Sequence, residues 1–170
     1  MKRKLTNKLS LFYANNYPFI NNKLSNKAYE ITLGIGGNLG DVIKTFNKLF
    51  LYLKTNTKID IVKTSPILQN PPFGYLEQDD FLNAIIVIKT NKNPAEVLRL
   101  CWMYENRLGR QRSFKDAPRT LDIDIIFIKR QNKYLNINTK DLIVPHIGYK
   151  QRSSVLIPLK LINNNKAKKI

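Results

Sequence analysis

One cysteine, one histidine and one tryptophan occur in 170 residues. Cys101 has no partner for an intrachain disulfide, so the fold must rest on its core, and a reducing context is expected. Acids are scarce too: 12 Asp and Glu stand against 29 Lys and Arg, for a net charge of +17. No apolar segment reaches the ~18 residues needed to span a bilayer. No apolar run with a small-residue cleavage site follows the basic N-terminus, so a soluble, cytoplasmic protein with no membrane partner is expected. There is no Gly-x-x-x-x-Gly-Lys-Ser/Thr loop, which excludes a P-loop kinase at motif level. Nor is there an aromatic strand of the Lys/Arg-Gly-Phe/Tyr-x-Phe type, so a nucleic-acid-binding sheet is not expected despite the charge.

The charge is unevenly spread. Residues 1–29 hold six Lys and Arg and no acid, and residues 160–170 hold four Lys and no acid. The 130 residues between them are +7. A basic balance suits an anionic small molecule such as a polyphosphate nucleotide. In the two ends, rich in Lys and Asn, the charge is read as solvated composition.

Three segments are expected: a basic arm over 1–28, a folded domain over 29–163 and a basic tail over 164–170. The arm is expected to be partly helical at Leu5–Tyr13 and to end in loop near Pro18. Its deletion through residue 26 should leave a folded, active protein. Ile31–Ile35 reads as a strand, broken by Gly36-Gly37-Asn38-Leu39-Gly40, with Asp41 as a helix N-cap. Val42, Phe46, Leu49, Phe50 and Leu53 then recur at helical spacing. A second strand runs from Ile59 to Leu68, and a loop with Pro71-Pro72 and Gly74 follows. Phe81–Thr90 is a third strand. Pro94 opens a second helix, with Val97, Leu98, Cys101, Trp102 and Leu108 as its core face, and Gly109 closes it. Residues 136–148 read as loop or short strand, and Val155–Ile162 as a last apolar element. The order βαββαβ implies an α+β class, a ferredoxin-like sandwich with extra C-terminal elements and the N-terminal arm.

The fourth strand begins at Asp122-Ile123-Asp124-Ile125. Side chains alternate across a strand, so Leu121, Ile123, Ile125 and Phe127 share one face. Asp122 and Asp124 share the other, ~6–7 Å apart. Two neighbouring carboxylates repel unless a cation lies between them. Two carboxylates with substrate phosphates suit Mg²⁺, and a pair of such metal ions suits phosphoryl transfer. A solvated edge strand with two outward acids is the competing reading. Arg119, three residues upstream, favours phosphate chemistry.

Four groups of residues resemble one family. They are Gly36-Gly37-Asn38-Leu39-Gly40-Asp41; Asn70-Pro71-Pro72-Phe73-Gly74 with Phe81-Leu82-Asn83-Ala84; Gly109-Arg110-Gln111-Arg112 with Pro118-Arg119-Thr120-Leu121-Asp122-Ile123-Asp124; and Val144-Pro145-His146 with Arg152. Across residues 30–162 they resemble the 6-hydroxymethyl-7,8-dihydropterin pyrophosphokinases of folate synthesis. The resemblance implies that ATP, as co-substrate, gives its β,γ-pyrophosphoryl group to the pterin hydroxymethyl oxygen and leaves as AMP. It implies that Asp122 and Asp124 hold two Mg²⁺ ions and that Arg110 and Arg119 clamp the phosphates. Arg112, His146 and Arg152 would complete the ATP contacts. Gly37, Asn38, Asn70, Pro71, Phe73, Phe81 and Asn83 would form the pterin site, with Phe81 stacking and Asn83 bonding the pterin edge. The loops after Asn38, at residues 71–74 and at 110–118 would be lids. A monomer is expected.

The chain departs from the family at several places. Ser154 stands where a second stacking aromatic is usual, Asp116-Ala117 stand for Trp-Gly, and Trp102 stands where a Gln is common. A two-metal nucleotidyltransferase also joins a Gly-Gly turn to an Asp-x-Asp strand. Its two motifs lie close together, whereas Gly37 and Asp122 are 85 positions apart. Removing either aspartate is expected to leave the metal-free fold as stable as before, or slightly more so.

Overall fold

The computed structural model describes residues 1–111, 114 and 116–163. Its elements run β1 (Lys2–Lys4), β2 (Ser10–Phe12), β3 (Phe19–Ile20), β4 (Tyr29–Gly37), α1 (Val42–Thr55), β5 (Ile59–Thr64), β6 (Ile67–Asn70) and β7 (Phe81–Thr90). Then come α2 (Pro94–Arg107), β8 (Asp122–Arg130), β9 (Lys133–Tyr134), β10 (Ile137–Asn138), β11 (Ile143–Val144) and α3 (Ser153–Asn163). The result is a mixed α/β fold. Among the described residues, nine strands form one sheet in the order β1-β2-β6-β7-β4-β8-β9, with β5 pairing β7 and β3 pairing β5. Every pairing is antiparallel.

The helices form where sequence chemistry starts and stops them. Asp41 accepts the Lys44 N–H at 2.9 Å and caps α1, which buries Val42, Phe46, Leu49, Phe50 and Leu53. Asn93 and Glu96 make a reciprocal capping box before α2, and Gly109 ends it at φ +83°. Trp102 corrects the expected face of α2: it is 40 % exposed, while Tyr104 and Glu105 are buried. The apolar run Ile59–Leu68 splits into β5 and β6 at Ser65-Pro66, since proline offers no N–H to a ladder. The Ser65 hydroxyl accepts the Ile85 N–H at 2.9 Å and keeps that donor satisfied across the break.

Two cores result, one on each face of the sheet. Residues of α1 and α2 pack with Ile31, Leu33, Ile35, Ile86, Ile123 and Ile125 on one face. On the other, Val155 and Ile162 of α3 pack with Ile85, Val87 and Ile126. The β4–β8 register slips at Thr32/Leu33, which inserts Ile126 as an extra residue. Ile126 and Phe127 therefore both belong to the α3 side, and the expectation that Phe127 shares a face with Ile123 and Ile125 is corrected.

The N-terminal residues are not helical. They form β1, β2 and β3, which extend the sheet along β6 and β5. Tyr17 has no exposed surface; it donates its hydroxyl to the Phe46 carbonyl at 3.0 Å and packs against Phe46 and Phe50. With Leu11 and Tyr17 in the core, deletion through residue 26 is now expected to damage the fold. Residues 164–170 lie outside the described residues. Replacing Tyr17 by Ala should lower unfolding free energy by about 3–5 kcal/mol, because a fully buried aromatic is lost and a cavity remains. A urea midpoint within error of the wild type would show that the segment is not part of the core.

Candidate active site

The site begins with a strand that alternates large and small residues. On β4, Ile31, Leu33 and Ile35 enter the core beneath α1 and α2, so Gly34 and Gly36 fall on the opposite face. Register places Gly36 between Asn83 on β7 and Asp122 on β8, and Gly34 between Ile85 and Asp124. A Cβ on Gly36 would stand 2.7 Å from Asn83 Oδ1. The two glycines make the floor of a cleft of about 550 Å³. The cleft crosses the sheet from Asn70 and Phe81 to the two aspartates, and reaches Leu98 and Trp102 on α2.

Asp122 and Asp124 point into this cleft, yet their surroundings differ. Asp122 receives Arg110 Nη1 on Oδ1 and Arg119 Nη1 on Oδ2, the latter at 2.9 Å. Arg110 is aimed by Glu105, 2.9 Å from its Nη1, and by the Leu121 carbonyl at 3.2 Å. Glu105 is only 3 % exposed and also accepts the Ile123 N–H at 2.7 Å. It thereby ties α2 to β8 and fixes the arginine that neutralises Asp122.

Asp124 has looser company: His146 Nε2 lies 3.7 Å and Arg152 Nη1 3.9 Å from its Oδ2. Its side chain keeps 36 % of its surface open to the cleft. Even so, the cleft walls strip enough water to push its carboxyl above the usual carboxylate range, and the charge of Asp122 adds to this. His146, Arg152 and Arg110 pull the other way without cancelling it.

The remaining residues divide. Asn70, Phe73, Phe81, Asn83, His146 and Arg152 all line the cleft. Asn83 donates to Asn70 Oδ1 at 2.7 Å, and the Arg119 guanidinium lies 5.3 Å from the Phe81 ring centre. Gly37, Asn38 and Pro71 do not line it. A Cβ on Gly37 would stand 2.6 Å from the Thr120 carbonyl oxygen, so glycine lets the two loops touch. Asn38 accepts the Arg119 N–H at 2.9 Å and donates to Gln78 Oε1 at 2.8 Å and to the Asp79 carbonyl at 3.1 Å. It fastens three loops together. Arg112 lies outside the described residues.

Three features escaped the sequence reading. Trp102 lines the cleft instead of the core. Glu105 carries the arginine, and its signal was an acid on the buried face of α2, where a charge needs a partner. The third is the glycine floor, whose signal was Leu33-Gly34-Ile35-Gly36, an alternation of large with absent side chains.

The model of the 7,8-dihydro-6-hydroxymethylpterin-pyrophosphokinase family matches residues 32–164. The chain belongs to that family. A 2-amino-4-hydroxy-6-hydroxymethyldihydropteridine pyrophosphokinase of Helicobacter pylori is 43 % identical over 151 residues, covering 85 % of this chain and 88 % of the relative. The enzyme of that name from Campylobacter jejuni is 37 % identical over 146 residues, covering 86 % and 90 %. The one from Bacillus subtilis is 38 % identical over 136 residues, covering 80 % and 77 %. Among the described residues, no helix is long and apolar enough to cross a membrane.

The unequal surroundings of the two acids correct the expectation that either can be removed without cost. In the pyrophosphokinase without metal or substrate, Asp122→Ala should lower stability by about 1–3 kcal/mol, because two guanidiniums lose their charged acceptor. Asp124→Asn should raise it at neutral pH. The Asp124 carboxyl titrates higher when folded than unfolded, so its charge costs stability as pH rises through that interval. The advantage of Asn should vanish at pH values below both carboxyl pKa values. Urea unfolding at several pH values reads both effects, and equal behaviour of the two variants would contradict the asymmetry.

Proposed function

We propose that the cleft carries out its family's reaction with the aspartate face at its centre. The chain is an enzyme of folate biosynthesis: it transfers pyrophosphate from ATP to 6-hydroxymethyl-7,8-dihydropterin, giving the pterin diphosphate and AMP. The observation that carries the assignment of roles is the single face shared by Asp122, Asp124, Arg110 and Arg119, opening into one cleft with Asn83 and Phe81.

Mg²⁺ fits this donor set. Among the described residues no group of three His, Cys, Asp or Glu side chains could hold a metal by itself. Two carboxylates that must be completed by substrate oxygens are the usual arrangement for Mg²⁺, and the raised pKa of Asp124 marks a carboxylate short of compensation. Asp122 and Asp124 would hold two such ions. Their chemistry is to neutralise phosphate oxygens and to favour ionisation of the attacking hydroxyl.

The chain's own residues do the rest. Asn70 and Asn83 bond the pterin edge, and Phe81 offers its ring face. Phe73, 72 % exposed and lining the cleft, is available as a second ring where Ser154 offers none. His146 and Arg152 take the nucleotide's phosphates. Arg110 and Arg119, both bonded to Asp122, pass to the phosphates as ATP and metal arrive. There they stabilise the charge that develops as the α,β-bridging bond breaks. Arg112 adds a further ATP contact in this reading. Gly37, Asn38 and Pro71 shape the lids that exclude water rather than touching pterin.

The sheet order β8-β4-β7-β5, with α1 and α2 on one face, supports a ferredoxin-like arrangement of the central βαββαβ elements over 29–163. The buried free thiol of Cys101 suits a cytoplasmic setting.

The test is product analysis after incubation with ATP, Mg²⁺ and hydroxymethyldihydropterin. AMP and a pterin diphosphate are expected, whereas diphosphate release would mean nucleotidyl transfer. Asp122→Ala and Asp124→Ala should each lower kcat by about 10²-fold or more, roughly 2.7 kcal/mol of lost transition-state stabilisation. Near-normal turnover in either would return that acid to a solvated edge.

A further inference from the structure

The family match begins at residue 32, and β1, β2 and β3 all precede it. These strands are nevertheless joined to the site by the sheet's own register. Leu11 stands opposite Leu68, Leu68 opposite Asn83, Asn83 opposite Gly36, and Gly36 opposite Asp122. Opposed residues of antiparallel strands share a face. One row of residues therefore runs from the N-terminal strand through the pterin-facing asparagine and the glycine floor to the aspartate.

β6 is the weak member of this row. It has four residues and ends at Asn70, which accepts the Asn83 amide before the chain enters Pro71-Pro72. On one side β6 pairs β7, and on the other its partner is β2 alone. Without β2 it would be a short edge strand with unpaired backbone groups and a strong tendency to fray. Leu11 and Leu68 are both buried, so the pairing is held by side-chain packing as well as by the ladder. Further along, Tyr17 anchors the segment on α1, on the face of the sheet away from the cleft.

We infer, on the reading of Asn70 and Asn83 as pterin contacts, that the N-terminal strand β2 is a positioning element for the pterin end of the active site. It holds β6 in place and thereby fixes Asn70 and the start of the 71–80 loop. The nucleotide end is built on β8, α2 and the segment leading to α3, none of which pairs with β2.

Full-length Leu11→Ala and Leu11→Ile test this, with Tyr17→Phe as the comparison that weakens the same segment away from the cleft. Leu11→Ala should raise KM for the pterin by about 3- to 10-fold, with kcat and KM for ATP within about twofold of wild type. Amide exchange should quicken at Leu68, Gln69 and Asn70 but not along β8. Leu11→Ile should restore both readouts. Tyr17→Phe should lower Tm with the ratio of the two KM values unchanged. Equal changes in both KM values, or quickened exchange spread evenly over β4 and β8, would overturn the inference. If wild-type protein formed no AMP, the proposed reaction would fail, and exchange alone would decide: quickening confined to β6 and residues 71–80 supports the positioning role, and its absence removes it.

Discussion

Two carboxylates on one strand face, in a cleft that limits their access to water, set the terms for everything near them. The repulsion between Asp122 and Asp124 must be answered, and the fold answers it unequally. Asp122 is held between Arg110 and Arg119, and Arg110 is held in turn by a buried glutamate from α2. Among the described residues Asp124 has a histidine and an arginine at the limit of contact, and burial keeps its carboxyl raised. Asp122 is satisfied by two arginines, while Asp124 keeps part of its surface open to the cleft. Glycine on the central strand also keeps the cleft floor clear: a Cβ at Gly36 would stand 2.7 Å from Asn83 Oδ1, and one at Gly34 would stand 3.1 Å from Ile126 Cδ1.

The loops above this floor are coupled through side-chain amides. Asn38 bonds both the Arg119 backbone and Gln78, and Gln78 reaches the Tyr75 and Asp116 carbonyls. The glycine turn after β4, the proline loop after β6 and the segment before β8 are thus parts of one network. Arg119 is held within it by its backbone while its guanidinium reaches Asp122. Asn38, which the family resemblance casts as a pterin contact, spends its amide on the Arg119 N–H, Gln78 and the Asp79 carbonyl in the structure. Spacing along the chain carries no information on that.

Much of the central fold could be read from residues alone. The buried positions of α1 are those expected from helical spacing, its cap is Asp41 as expected, and the second helix opens at Pro94 as expected. The Asp-x-Asp strand was legible because its alternation is strong. The N-terminal strands were not: two or three residues in a Lys- and Asn-rich segment carry no period, and only pairing with β5 and β6 makes them strands. The bulge at Ile126 was hidden for a related reason, since an all-apolar run gives no alternation to break. Trp102 was assigned to the core on hydrophobicity alone, although helix geometry turns it toward the cleft. Asn70, Phe81 and Asn83 came from resemblance rather than from pattern, and the structure brings them together on one face.

One exchange is central to the proposed mechanism: the guanidiniums that bond Asp122 are those proposed to meet the phosphates when ATP binds. Side-chain ¹⁵N NMR of Arg110 and Arg119 observes this directly in the full-length protein, assigned by single Arg→Lys variants. Mg²⁺ alone should leave both guanidinium signals in place, because Asp122 is already engaged. Mg²⁺ with a non-hydrolysable ATP analogue should shift both, together and saturably. Signals that stay at their substrate-free positions in the saturated complex would contradict the account, since the arginines would then be fixtures of the fold and not the clamp on the phosphates.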